Sequence, residues 1–217
     1  MSATRLHRAL VNALRDRRLL GHPFYRRWEA GTLGVGELGA YAEQYRHFET
    51  ALPGMLQRLL PKLGDGPARA LIAQNLEDEL GNPEPHARLF ESFAGAVGAD
   101  REAAPSQATN DLLGAYARCI DAGGAQGLAA IVAYEKQAPE IAASKAAGLR
   151  RHYGLDRTAT RFWDLHAAMD EHHAAWAVEA LASLPVSQDV ILDAAGVAAD
   201  AWWSFLDERE AAAFVRS

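Results

Sequence analysis

The segment FWDLHAAMDEHHAAW, residues 162 to 176, carries the pattern that decides the fold class of this chain. Its apolar residues recur at steps of three and four, which predicts an amphipathic helix over residues 157–184. On a helical wheel, His166, Asp170 and His173 fall in the middle of the apolar face of that helix. Because an unpaired buried carboxylate is costly, these side chains need partners inside the protein.

Two kinds of partner satisfy the three side chains. Neutral imidazoles and a carboxylate on one helix face can share a divalent metal ion. Alternatively, Asp170 can hydrogen-bond to His166 and His173 as packed core histidines. This helix by itself gives both interpretations equal weight, so side chains from other helices must decide between them.

The rest of the chain also favours helices. Of its 217 residues, 49% are hydrophobic, and many of these are alanine, a strong helix former. Breaks rich in glycine and proline divide the chain into about seven or eight helical segments joined by short loops. The sequence therefore predicts an all-α protein, a compact helical bundle in one domain that spans residues 1–217.

Composition also excludes several classes of partner. Lys and Arg total 22 against 28 Asp and Glu, and no dense basic face is present, so we expect no nucleic-acid partner. Cys119 is the only cysteine, which excludes an internal disulfide and a cysteine-rich metal site. No apolar run reaches the roughly 20 residues that cross a bilayer, and the arginine-rich start favours an amphipathic helix over a secretory signal. We expect a cytoplasmic protein with no membrane partner.

The segment NLEDELGNPEPHARLF, residues 75 to 90, supplies a second pair of ionisable side chains. Glu79 lies in the last turn before the break at Gly81, where the helix dipole disfavours negative charge. His86 follows Glu79 by seven residues, about two turns if the segment stays roughly helical across the break. The two side chains can bind one cation, although an acidic helix end followed by a surface histidine gives the same pattern.

The apolar run over residues 127–154 supplies a third carboxylate. Glu135 precedes Pro139 by four residues, so the missing N–H of the proline predicts a kinked or loosened helix at that point. Such a distortion can turn the Glu135 carboxylate into a bundle interior. Tyr134 and Lys145 lie on the same predicted helix.

Three carboxylates and three histidines from three helical regions form the ligand set of a carboxylate-bridged dinuclear metal site. The candidates are Glu79, His86, Glu135, His166, Asp170 and His173. The paired Glu-x-x-His motifs of ferritin-like bundles are absent, so a different all-α scaffold is required. Carboxylates and imidazoles without thiolates favour iron or manganese for dioxygen chemistry, and we expect two metal ions, Fe/Fe or Fe/Mn.

The order and spacing of these six residues resemble the heme-oxygenase-like dimetal oxidases, whose pattern is Glu-x6-His, then Glu, then His-x3-Asp-x2-His. The segments LGHPFYRRW, AYAEQYRHF and AYEKQAPEIAASKAAGL are similar to one branch, the family of the Chlamydia protein associating with death domains, or CADD family. The resemblance implies a heme-oxygenase-like helical bundle. It also implies dioxygen as co-substrate and an external reductant.

The CADD family is held to make para-aminobenzoate for folate synthesis by oxidising a tyrosine of the protein itself. The resemblance implies Tyr25 as the consumed ring, Lys145 as the amino donor, and Tyr41 and Tyr134 as redox-active neighbours. The residues alone do not lead to these roles. Tyr25 follows Pro23 in a pattern typical of a helix start, and most lysines are solvated.

Three other functions stay open at this point. The protein could be a dimetal oxidase of an external small molecule such as an amino acid or a fatty acid. It could be a metal-free enzyme similar to the TenA and PqqC proteins, or an interaction protein without catalysis. Measurements of the metal content and of the number of turnovers distinguish these alternatives. The oligomeric state stays open, and a homodimer is one possibility.

Overall fold

A computed structural model describes the backbone of residues 2–81, 84–168 and 171–215, and the side chains of those ranges except 171–175 and 213–215. Eleven α-helices and no β-strand occur in these ranges. The helices are α1 (Ala3–Ala13), α2 (Pro23–Ala30), α3 (Val35–Leu59), α4 (Pro67–Leu80), α5 (His86–Ala96), α6 (Gln107–Ala122), α7 (Gly124–Glu135), α8 (Ala138–Tyr153), α9 (Arg157–Ala167), α10 (Glu171–Ala182) and α11 (Gln188–Val215). The all-α prediction is confirmed.

Local sequence accounts for the first two helix starts. The Ser2 side chain accepts a hydrogen bond from the backbone N–H of Arg5 and so caps α1. Pro23 occupies the first turn of α2, where its missing N–H costs nothing, and the ring of His22 accepts from the backbone N–H of Phe24. This start places Tyr25 on the buried face of a short helix.

Helix α3 runs through the middle of the protein and contacts α4, α5, α6 and α11. Its buried residues include Tyr41, Tyr45, Phe48 and Glu49, so the buried face is not purely aliphatic. Helix α8 packs between α2 and α9, and α11 packs on α6 and α7. The interior is therefore lined by aromatic and polar side chains from α3 and closed by shorter helices.

The described ranges contain more helical segments than the seven or eight predicted, and one reason is that the predicted helix over residues 127–154 is interrupted. Helix α7 ends at Glu135 and α8 begins at Ala138, with Pro139 in its first turn, so the distortion predicted from Pro139 is a complete interruption of the helix. The prediction that Tyr134 and Lys145 share a helix is wrong, because this break puts them on α7 and α8. The predicted helix over 157–184 is described as α9 and α10.

No helix in the described part of the chain combines the length and the apolarity that crossing a bilayer requires.

Gly81 shapes the connection between α4 and α5. It ends α4 with φ +58°, and a Cβ at this position would lie 2.0 Å from the carbonyl oxygen of Glu84. Only glycine meets both conditions, because other residues are strained at positive φ and carry a Cβ. The tight connection brings the end of α4 close to the start of α5.

We predict that Gly81→Ala destabilises the protein more than Gly98→Ala does. Gly98 has φ +71°, but a Cβ added there would meet no atom within 4 Å, so its substitution adds only the backbone strain of about 1–2 kcal/mol. Gly81→Ala adds a clash with the backbone of Glu84. The difference is measured by thermal unfolding, in which each kcal/mol of lost stability lowers Tm by roughly 2–4 °C. Equal decreases of Tm in the two variants would contradict this account.

Candidate metal centre

Glu79, His86 and His166 meet inside the protein, with one ligand atom from each lying within 4.8 Å of the other two. Oε1 of Glu79 is 3.2 Å from Nδ1 of His86, and the rings of His86 and His166 are 4.8 Å apart between centroids. Each residue lies at a helix end: Glu79 closes α4, His86 opens α5 and His166 closes α9. Glu79 and His86 therefore meet across the Gly81 turn, and not along a continuous helix as the sequence suggested.

The local helix geometry sets the tautomer of His166. Its Nδ1 is 2.9 Å from the carbonyl oxygen of Phe162, one turn earlier in α9, so Nδ1 carries the proton and donates it. Burial lowers the pKa of His166, which keeps the imidazole neutral. Nε2 is then left with a free lone pair, which is the arrangement that metal-binding histidines use.

Glu135, the last residue of α7, brings a second carboxylate to the same place. Its Oε1 accepts a hydrogen bond of 2.6 Å from Nδ2 of Asn75. Asn75 lies one turn before Glu79 on α4, so one helix face positions both carboxylates. Burial raises the pKa of Glu135 to about 8, with the Asn75 hydrogen bond opposing that rise and Glu79 adding to it.

The candidate ligands Glu79, His86, Glu135 and His166 line one cavity of about 50 Å³. Oε2 of Glu79 and Nδ1 of His86 are buried there without a hydrogen-bond partner, because the approach of Nδ1 to Oε1 of Glu79 does not have the geometry of a hydrogen bond. Leaving such atoms unpaired costs about 1–3 kcal/mol each. Carboxylate oxygens and neutral imidazoles are the donor set that iron and manganese accept, so these residues fit the predicted metal centre. The structure thus brings together four of the six predicted ligands.

The other two predicted ligands cannot be placed. Asp170 lies outside the described residues, and so does the side chain of His173, although His173 itself belongs to α10. Their roles as ligands remain predictions.

Lys145 lies next to this cavity in an aromatic pocket. It is 2% exposed, and its Nζ donates a hydrogen bond of 2.6 Å to the hydroxyl of Tyr41. The ring centroids of Tyr25 and Trp163 are 4.5 and 4.1 Å from Nζ. Burial lowers the pKa of Lys145 well below its usual value, which favours the neutral amine, and the carboxylate of Glu49 opposes that shift.

The three tyrosines named from the resemblance fall into two hydrogen-bonded pairs. The hydroxyls of Tyr25 and Tyr41 are 3.0 Å apart, beside Lys145. The hydroxyl of Tyr134 is 2.9 Å from that of Tyr45, at the metal cavity. Tyr45 joins the two pairs, because its ring stacks on Tyr41 with 5.5 Å between centroids.

Sequence reasoning missed Tyr45 and Glu49, which both line the metal cavity. Their signal was present in AYAEQYRHFET, where Tyr41, Tyr45 and Glu49 recur at steps of four on one face of α3. A glutamate on an aromatic helix face is the same kind of anomaly that singled out Asp170.

We predict that the metal-free protein loses stability as the pH rises from about 4.5 to 8. Glu135 has a pKa of about 8 in the folded protein and 4.5 in the unfolded chain, so the folded protein holds this proton more tightly. The proton therefore adds to the free energy of unfolding at low pH, and that stabilisation is lost as the pH rises from about 4.5 to 8. Denaturant unfolding of chelator-treated protein measures it, and Glu135→Gln should flatten the profile. Metal affinity should rise over the same window, because the ion must displace the proton.

Comparisons with known proteins agree with this geometry. Residues 39–204 match the family described as iron-containing redox enzyme. The chain is 35% identical to a protein from Nitrosomonas europaea named 4-aminobenzoate synthase, over 95% of this chain and 92% of the relative.

Two solved structures share the fold. A CADD-like protein from Nostoc punctiforme has a TM-score of 0.78 at 20% identity, over 95% of this chain and 96% of that one. A domain with a heme oxygenase-like fold from Shewanella denitrificans has a TM-score of 0.79 at 16% identity, over 99% and 94%. The predicted fold and the resemblance to the CADD family are confirmed. The chain therefore belongs to the iron-containing redox enzyme family, in the branch of the 4-aminobenzoate synthase from Nitrosomonas europaea, and is an oxidoreductase with a heme-oxygenase-like fold.

Proposed function

We propose that this protein is a dimetal oxidase that makes para-aminobenzoate, which is 4-aminobenzoate, for folate synthesis from its own Tyr25. Lys145 would supply the amino nitrogen, and Tyr41 and Tyr134 would act as redox-active neighbours. The name of the relative from Nitrosomonas europaea supports the product. The observation that carries the proposal is the buried Lys145 amine, 4.5 Å from the centre of the Tyr25 ring.

The carbon skeleton of the product matches the tyrosine side chain. In 4-aminobenzoate the nitrogen is para to the carboxyl carbon, and in tyrosine the hydroxyl is para to Cβ. The ring and Cβ of Tyr25 therefore contain every carbon that the product needs. The reaction must break the bond between Cα and Cβ and oxidise Cβ to a carboxylate, with dioxygen as the oxidant. It must also replace the phenol oxygen, which leaves as water, by Nζ of Lys145, whose bond to Cε breaks as Cε is oxidised to an aldehyde.

The aromatic pocket prepares Lys145 for that replacement. A neutral amine has a lone pair and is a nucleophile, whereas an ammonium group is not, and burial favours the neutral form of Lys145. Tyr25 and Lys145 are each 2% exposed, so water has little access to compete with the amine. Burial also keeps Tyr41 protonated, since its pKa is raised well above the usual value. The Lys145 amine donates its hydrogen bond of 2.6 Å to the Tyr41 oxygen, so Tyr41 helps to hold the amine beside Tyr25.

The metal centre would supply the oxidising chemistry. Bound as Fe/Fe or Fe/Mn by Glu79, His86, Glu135 and His166, with Asp170 and His173 as the other predicted ligands, the ions would activate dioxygen with electrons from an external reductant. Tyr45 and Tyr134 form the hydrogen-bonded pair between this cavity and the ring of Tyr41.

The size of the cavity favours an internal substrate over an external one. At about 50 Å³ it is far smaller than the roughly 300–1,000 Å³ of sites that hold small organic ligands. It accommodates ions, water or dioxygen. The buried and unpaired carboxylate and imidazole atoms, in turn, weigh against a metal-free enzyme.

We predict that Tyr25→Phe abolishes product formation while the protein still binds metal. Protein loaded with iron or with iron and manganese, then given reductant and air but no organic substrate, should release at most one aminobenzoate per chain and lose mass. Product and intact mass are measured by mass spectrometry. Tyr116→Phe is the matched control, because Tyr116 is also buried and hydrogen-bonded, to Trp202, but lies outside the Lys145 pocket. An unchanged yield from Tyr25→Phe would refute the proposal, and repeated turnover would indicate an external substrate.

We also predict that the amino nitrogen comes from Lys145. The chain has three lysines, Lys62, Lys136 and Lys145, and Lys145 is the buried one among them. Protein labelled with ¹⁵N at the lysine side chains should release ¹⁵N-labelled product, and Lys145→Met should release none. The exposed Lys62 serves as the control, because Lys62→Met should leave the yield unchanged. Unlabelled product from labelled protein would exclude Lys145 as the donor.

A further inference from the structure

We propose that Glu49 is a further ligand of the metal centre, a fourth carboxylate supplied by α3 and absent from the six-residue pattern. The inference rests on the metal centre of the proposed function, and it adds a residue that neither the spacing nor the resemblance identified. It concerns how many carboxylates hold the metal ions.

Glu49 is buried and faces the other candidate ligands. It is 2% exposed, and it lines the same cavity as Glu79, His86, Glu135 and His166. Its carboxyl group faces the same small cavity as that of Glu79. Nevertheless, Oε1 of Glu49 and Oε2 of Glu79 have no hydrogen-bond partner among the described residues.

Two buried carboxyl groups on one small cavity need something between them. If both are charged they repel, so their closeness requires either a shared proton or a cation. The unpaired oxygens of Glu49 and Glu79 line the cavity together with the imidazoles of His86 and His166, which a shared proton leaves unused. A metal ion uses both carboxylates and the imidazoles together.

The charge balance of a metal pair favours the same assignment. Two divalent ions carry four positive charges, and neutral histidines cancel none of them. Glu79, Glu135 and the predicted Asp170 supply three negative charges, which would leave one positive charge in a buried site. Glu49 supplies the fourth.

The test compares Glu49→Gln with Glu43→Gln. Glutamine keeps the size of Glu49 and can still hydrogen-bond to Glu79, but it is a poor ligand. Glu43 lies on the same helix, where its Oε1 accepts a hydrogen bond from the backbone of Asp100 that an amide oxygen can also accept. Chelator-treated protein is titrated without oxygen with Fe(II) or Mn(II), and bound metal is measured by elemental analysis and calorimetry.

Wild type and Glu43→Gln should bind a pair of ions, whereas Glu49→Gln should lose one ion or bind about 10–100-fold more weakly. The spin-coupled Mn(II) pair seen by paramagnetic resonance should disappear in Glu49→Gln. Unchanged affinity and coupling in that variant would show that Glu49 is a protonated hydrogen-bond partner of Glu79. Wild-type protein that binds no metal would instead refute the proposed function.

A second variant covers the case in which Glu49→Gln does not fold. Glu49→Asp keeps the charge but withdraws the carboxylate from the cavity, so its metal affinity should fall below that of wild type. Affinity equal to that of wild type would contradict the assignment. Thermal unfolding of both metal-free variants identifies any loss that comes from misfolding.

Discussion

The repulsion between buried carboxylates is the constraint on which the rest of this structure depends. Glu49, Glu79 and Glu135 converge on one small cavity in an interior made mostly of aromatic and aliphatic side chains. Glu79 and Glu135 also lie at the carboxyl ends of their helices, where the helix dipole opposes negative charge. A cation relieves both effects, so the arrangement is understandable as a metal centre and is difficult to explain as simple packing.

Helix α3 links that centre to the pocket of Lys145. Tyr41, Tyr45 and Glu49 lie one turn apart on its buried face, so about 6 Å of helix axis separates each from the next. Tyr41 contacts the amine, Tyr45 contacts Tyr134, and Glu49 lines the metal cavity. A single rigid helix therefore holds the amine pocket and the metal cavity at a set distance. This rigidity suits a reaction in which the oxidised group is part of the protein.

Several residues of this site could be predicted from the sequence, because proline and glycine affect the backbone within a few residues. Pro139 cannot continue a helix, so the end of α7 at Glu135 follows from chain chemistry alone. Glu79 and His86 were paired correctly, but for a different reason: Gly81 turns the chain sharply between them. The roles of Tyr25 and Lys145 came from the resemblance, since nothing in their local sequence distinguishes a buried lysine from a solvated one.

The sequence by itself determined the helical class, most helix boundaries and the identity of the ionisable residues that an apolar face should not carry. These follow from periodicity and from glycine and proline, which act within a few residues. Only the tertiary structure decided that Lys145 lies against Tyr25 and Tyr41, and that Glu49 and Glu79 line one cavity. Those contacts join residues far apart in the chain, and burial, which changes the charge state of each group, exists only once the helices have packed.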